Sequence, residues 1–168
     1  YLKVSGAALA LGGLRADAAE EVMLQDEIIR LQLKHTWTTV MSSSTYRDTL
    51  HVQYGRGGLV GYGEGAPIVR YEETPQSAKY AVETVRGLLE EADPAQFSKI
   101  MAEVFKRIEG QYAAKAAIDI ALMDWNGQKL GVPLYRYFGL DPKDAPITTF
   151  SIGINNPETT KAKVEEAA

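Results

Sequence analysis

The sequence predicts an α+β fold: a three-stranded antiparallel meander, then helices, then the first strand and helix of a (β/α) barrel. Three observations carry this expectation. Apolar side chains alternate at Ile29, Leu31 and Leu33, and again at Leu50, Val52 and Tyr54, the period of strands with one buried face. After Pro75 the apolar period lengthens to that of helices. Past a proline-bounded linker, DPKDAP, a compact apolar run, ITTFSIGI, is followed at once by a helix start at Asn156-Pro157, the order in which a β/α unit is built.

In chain order, residues 23–33 form the first strand. The polar stretch that follows holds too many Ser and Thr for a helix interior, because short hydroxyl side chains compete for backbone hydrogen bonds. TLHVQYGRGGLVGYGEG reads as a hairpin, with a turn through the glycine cluster at 55–58 and a return over residues 59–64. Thr74 is placed to cap a helix with Pro75 at its first position, and Ala78, Ala81, Val82, Val85, Leu88 and Leu89 mark the inner face. Asp93-Pro94 opens a second helix with the stripe Phe97, Ile100, Met101, Val104, Phe105 and Ile108, closed at Gly110. A third helix runs from about Gln111 to Leu130. Its alanines at 113, 114, 116, 117 and 121 leave so little side chain that it can lie against another backbone, as suits a helix wedged between two layers. Gly131 and Pro133 end it, and LYRYFG adds one short turn.

A length of 168 residues allows one well-cored domain, or a small domain and the start of another. The net charge of −4 gives no reason to expect nucleic acid or an anionic membrane as partner. The absence of cysteine excludes disulfides and thiolate metal sites, leaving His35 and His51 as the only imidazole ligands. Asp119 and Asp124 stand five residues apart and face different ways on a helix, so hydrogen bonding or capping at a domain seam accounts for them better than metal binding. GYGEG lacks the G-x-G-x-x-G spacing and belongs to a hairpin strand, so it is not a dinucleotide loop. The lack of an initiating Met and a last helix with no C-cap at Ala168 are what the N-terminal part of a longer protein would present. Residues 1–18, with the triplet Ala16-Asp17-Ala18, resemble the second half of a twin-arginine export signal, which implies a periplasmic protein; an Ala-rich extension on a cytoplasmic protein is the alternative.

AKAAIDIALMDWNGQKLGVPLYRYFG, with acids at Asp119 and Asp124, Ala121, Gly127, Pro133 and the closing Phe138-Gly139, resembles the enolase superfamily in its mandelate racemase and muconate lactonizing branch. Trp125 and Tyr137 depart from the smaller or aliphatic residues usual there. HTWTTVMSSSTYRD, GEGAPIVRYEET and TTFSIGINNPET make dipeptide epimerases, the L-Ala-D/L-Glu type, the nearest likeness. The resemblance implies a capping domain over residues 19–140 and a barrel beginning at 141–168. It implies an isomerase that moves a proton at the Cα of a dipeptide, with the enolate stabilised by Mg²⁺ on three carboxylates and a lysine on each face of the substrate. Those groups would belong to later barrel strands, so no catalytic residue and no metal ligand is assigned here, and these residues alone would be inactive. A cycloisomerase or o-succinylbenzoate synthase of the same superfamily, or a stand-alone binding module, are the alternatives; a homo-oligomer is compatible with each.

The resemblance also assigns specificity to this part of the chain, because the loops at residues 34–48 and 66–74 would close as a lid over the barrel mouth, with GYGEG packed closely against that lid. Trp37 is a candidate to pack on the substrate, or else on the barrel. Arg70 is a candidate for a substrate carboxylate, or for an ion pair with Glu72 or Glu73. Where the Ala-Glu epimerases carry a loop arginine, alignment puts Ser42, with Arg47 five residues off register. Ser151 is a candidate substrate hydrogen-bonding group, or else a small residue tolerated in the barrel interior: alternation sets Thr149, Ser151 and Gly153 toward the interior and Phe150, Ile152 and Ile154 outward.

Overall fold

The structure, a computed structural model, describes residues 21–168, so the expected export segment at 1–18 lies outside the described residues. Strands β1 (Val22–Thr38), β2 (Ser43–Arg56) and β3 (Leu59–Gly65) form an antiparallel sheet in the order β1-β2-β3, the meander that alternation predicts. The β2–β3 turn falls on Gly57 and Gly58, with φ of 59° and 78°, where a side chain would be strained; Gly55 sits in the ladder opposite Val60. Leu24, Leu50, Val52 and Tyr54 are buried against the helices, whereas Leu31 is 39% exposed. The alternation at Ile29, Leu31 and Leu33 therefore marks the outer face of β1 rather than the core. Period two offers two faces, and pairing of Leu24 with Tyr54 and Ile28 with Leu50 decides between them.

Asp26 points inward from β1 with its side chain only 2% exposed. Arg86 Nη2 donates to its Oδ1 at 2.8 Å, Lys79 pairs with its other oxygen, and Arg86 Nη1 also donates to the Leu24 carbonyl at 2.8 Å. This ion cluster joins β1 to the first two helices.

Those helices are α1 (Pro75–Thr84) and α2 (Arg86–Glu91), where a single helix was expected. The capping box forms as Thr74 and Ser77 exchange side chain to backbone bonds at 2.9 and 3.0 Å. The break falls at Val85, just after the Thr84 hydroxyl donates to the Ala81 carbonyl at 2.7 Å. In α3 (Phe97–Arg107) Ile100, Met101 and Val104 are buried, but Phe105 is 54% exposed.

Helix α4 (Tyr112–Leu130) lies where its alanines predict, in backbone contact with a neighbour. That neighbour is β3. A Cβ on Gly61, Gly63 or Gly65 would stand 2.1, 1.9 and 1.9 Å from the carbonyl oxygens of Ala121, Ala117 and Ala113. The glycine strand thus packs on α4, not on the lid as expected, because its alternate glycines match helix residues spaced four apart. Asp124 accepts the Tyr62 N–H at 2.9 Å, and Gln128 donates to the Val60 carbonyl at 2.7 Å, so α4 side chains close the outer edge of β3. Trp125 donates to the Arg56 carbonyl at 3.0 Å and meets Tyr54 edge-on, which accounts for its departure from a smaller residue. Asp119 remains on the surface, its carboxyl raised by partial desolvation alone.

Gly131, at φ 67°, ends α4, and α5 (Leu134–Tyr137) follows. The run 147–154 is not a strand: it joins no ladder, and Ile147 and Phe150 are 98% and 67% exposed. A strand exists through its neighbours' hydrogen bonds, and among the described residues the backbone contact to β1 is one bond, from Ile154 N–H to the Thr38 carbonyl at 2.8 Å. Helix α6 (Pro157–Ala167) starts as predicted, with Asn156 accepting the Thr159 N–H at 2.8 Å. Among the described residues no helix is long and apolar enough to cross a membrane.

Candidate substrate cleft

The β1–β2 hairpin is irregular near its tip. Gln32 pairs with Tyr46 and Trp37 with Ser44, so residues 33–36 stand opposite Thr45 alone. Four residues against one form a large, irregular bulge, which takes Leu33, Lys34, His35 and Thr36 out of the regular pairing. Gln32 Nε2 donates to the Thr45 carbonyl at 2.6 Å, satisfying an acceptor at the bulge.

The bulge forms one wall of a cleft of about 380 Å³, together with Trp37 and Arg47. Phe150, Ser151, Ile152 and Gly153 form the facing wall, and Lys163 of α6 reaches in. The walls are held at two places. Gly153 approaches so closely that an added Cβ would meet the Thr38 N and O at 3.0 Å. At the other place Glu166 of α6 pairs with Lys34 and lies 3.0 Å from His35 Nε2. The hydrogen bond from Lys34, helped by the charge of Lys34 and by His35, holds the Glu166 carboxyl below the ordinary carboxylate range against a smaller desolvation effect.

The structure thus brings two expected site residues, Trp37 and Ser151, into one cleft from positions 114 apart in sequence. Both bulky Phe150 and small Ser151 line it, because an unpaired segment does not sort its side chains by strand alternation. Arg70 is elsewhere. It lies on the exposed turn Val69–Tyr71 with Nη2 3.9 Å from Met41 Sδ, at the hairpin tip rather than in the cleft. The expected ion pair with Glu73 also does not form: that carboxylate is buried and accepts the Tyr112 N–H at the start of α4.

Arg47, set aside in the sequence on grounds of register, lines the cleft, while Ser42 lies in the tip turn accepting the Thr39 N–H. One signal was available. Arg47 has the opposite parity to the buried Leu50, Val52 and Tyr54, which puts it on the outer face. Lys34, His35 and Lys163 carried no comparable signal.

Chemically the cleft presents an indole, a hydroxyl, apolar walls and basic side chains. The donor set does not fit a magnesium ion. Among the described residues no group of three or more His, Asp or Glu side chains is placed to hold a metal, and Asp26, Glu73, Asp124 and Glu166 are engaged by other partners.

The fold is a three-stranded antiparallel meander backed by helices, with a bulged β1–β2 hairpin. Residues 20–139 match the family described as mandelate racemase / muconate lactonizing enzyme, N-terminal domain, and the chain belongs to that family. An L-Ala-D/L-Glu epimerase of Bacteroides thetaiotaomicron is 37% identical over 138 residues, 82% of this chain and 36% of that protein. A chloromuconate cycloisomerase of Pseudomonas putida is 32% identical over 125 residues, 72% of this chain and 33% of that protein. Among solved structures, the dipeptide epimerase of Enterococcus faecalis complexed with Mg and L-Leu-L-Tyr matches with a TM-score of 0.73 and 33% identity, covering 88% of this chain and 41% of that one. The chain therefore spans little more than a third of the curated relatives it matches.

Proposed function

We propose that this chain is the lid and substrate-recognition part of an enolase-superfamily dipeptide epimerase. The observation that carries the reading is the meeting of hairpin Trp37 with Ser151 in one cleft. Its likeness to epimerases that act on dipeptides supports it. In this reading the proton-transferring lysines and the carboxylates for Mg²⁺, which would stabilise the enolate, lie in sequence beyond these residues. What these residues do is orient and shield. The Trp37 indole packs on the distal part of the dipeptide and excludes water, and the Ser151 hydroxyl hydrogen-bonds the substrate.

The test uses the complete gene product with Mg²⁺ and a dipeptide library in D₂O. Mass gain of one deuterium at a Cα establishes the exchange and names the substrate. Ser151→Ala lowers kcat/KM by about tenfold, one hydrogen bond of ~1.4 kcal/mol. An unchanged value removes Ser151 from the site. A cycloisomerase is the second reading, favoured by the Pseudomonas putida relative; lactone formation from muconate without dipeptide exchange would establish it instead.

A further inference from the structure

We propose that Gly153 and Glu166 are positioning residues that clamp the β1–β2 hairpin on either side of Trp37, so that its indole stands fixed against the facing wall before any substrate arrives. The effect on substrate rests on the reading of Trp37 given above, whereas the clamp itself does not.

The end of the hairpin needs holding. Beyond the 33–36 bulge its ladder keeps two pairs, Trp37 with Ser44 and Thr38 with Ser43, and so short a ribbon is not stable by itself. Two contacts with the chain around α6 supply what the ladder lacks. On one side of Trp37, the Thr38 carbonyl accepts the Ile154 N–H at 2.8 Å, and an added Cβ on Gly153 would lie 3.0 Å from the Thr38 N and O and 3.5 Å from Trp37 Cε3. An alanine there has to push Thr38 back by a few tenths of an ångström, and a larger side chain by more, because backbone atoms cannot turn aside. On the other side, the Glu166 carboxylate pairs with Lys34 and lies 3.0 Å from His35 Nε2. Both anchors belong to one unit: Asn155 Nδ2 donates to the Gly153 carbonyl at 2.7 Å, Asn156 caps α6, and Glu166 lies in the last turn of that helix. Residues 34, 35 and 38 are thereby tied to one body, with Trp37 between them. A freely swinging indole meets substrate only in the fraction of molecules where it stands in place, and apparent affinity falls by that fraction. The clamp therefore acts on KM and leaves the chemical step alone. Its two ends differ in strength. An exposed ion pair shifts a population by up to about fivefold, whereas the Gly153 contact is with backbone and relaxes only by lifting the hairpin.

The experiment uses the complete gene product labelled with fluorotryptophan, in which the Trp37 fluorine resonance is the one lost in Trp37→Phe. In the clamped hairpin that resonance stands apart from its position in the urea-denatured chain, and Glu166→Gln and Gly153→Val should each move it toward that position. Glu166 is 43% exposed, so its substitution leaves the core intact and keeps the test valid if Gly153→Val fails to fold. A Trp37 resonance that Glu166→Gln leaves unmoved overturns the proposal, whether or not any dipeptide exchanges. With Mg²⁺ and an exchanging dipeptide, Glu166→Gln should raise KM about threefold to fivefold and Gly153→Val about tenfold, with kcat within about twofold of wild type. Both effects should shrink to less than about twofold in a Trp37→Ala background, where the clamp has no indole to position. Losses that persist in that background, or that fall on kcat, refute the positioning role. If no dipeptide exchanges, the epimerase reading fails and the fluorine spectra still decide the clamp.

Discussion

Replacing Gly63 by alanine tests the contact on which the whole sheet-to-helix packing depends. The new Cβ would lie 1.9 Å from the Ala117 oxygen, 2.7 Å from the Ala121 nitrogen and 2.9 Å from the Ala117 carbonyl carbon. Unstrained contacts between heavy atoms need ~3.5 Å, so α4 must retreat by more than about 1 Å. All three obstacles are backbone, so no rotamer change relieves them. A retreat of that size also opens the neighbouring contacts of Gly61 and Gly65 on the same helix, and a gap of ~1 Å forfeits up to about half of each dispersion well. Overpacking in a close-packed core costs ~1–3 kcal/mol, and here the upper end, about 3 kcal/mol, is expected. Gly87 supplies the control. It lies in α2 with nothing within 4 Å of an added Cβ, so Gly87→Ala should stabilise by ~0.5–1 kcal/mol. Urea denaturation followed by circular dichroism measures both. A loss below about 1 kcal/mol for Gly63→Ala would refute the backbone-contact argument.

Two further perturbations probe the electrostatics. Asp26→Ala leaves Lys79 and Arg86 without their shared carboxylate, but these side chains are 42% and 29% exposed and can turn to water. The loss should be about 2 kcal/mol, below that of a fully buried pair, and a urea midpoint that does not move would show the cluster to be idle. At Glu166 the sign follows from a folded-state carboxyl held below its unfolded value by Lys34: the contribution is present above the ordinary carboxylate range and is lost as pH falls through the folded value. Amide exchange over residues 33–38 should therefore accelerate in acid beyond the intrinsic chemical rate, and Glu166→Gln should show the acid pattern at neutral pH. A protection pattern independent of pH would exclude the anchor.

Much of the architecture could be read locally. Leu50, Val52 and Tyr54 announce a strand face, Thr74-Pro75 a helix start and Asn156-Pro157 another, because each signal spans a few residues and answers to backbone sterics and capping. The glycine-alternating segment and the alanine-rich helix were each legible as surfaces for close approach. That they approach each other was not. The inner face of β1, the break at Val85 and the unpaired state of residues 147–154 also escaped, since register, helix continuity and strand pairing depend on neighbours distant in the chain.

The cleft divides in the same way. Trp37 and Ser151 were nominated through the family resemblance, which also supplied the class of chemistry. Arg47 entered and Arg70 left only when the 33–36 bulge and the docking of α6 were in place. By itself the sequence determined the buried face of β2 and the helix starts at Thr74-Pro75 and Asn156-Pro157, because those preferences act over a single turn or a pair of residues. The tertiary structure alone decided which cations share a cavity and which are neutralised, because Coulomb energy depends on distance in space, and the hairpin and α6 are brought together only by folding.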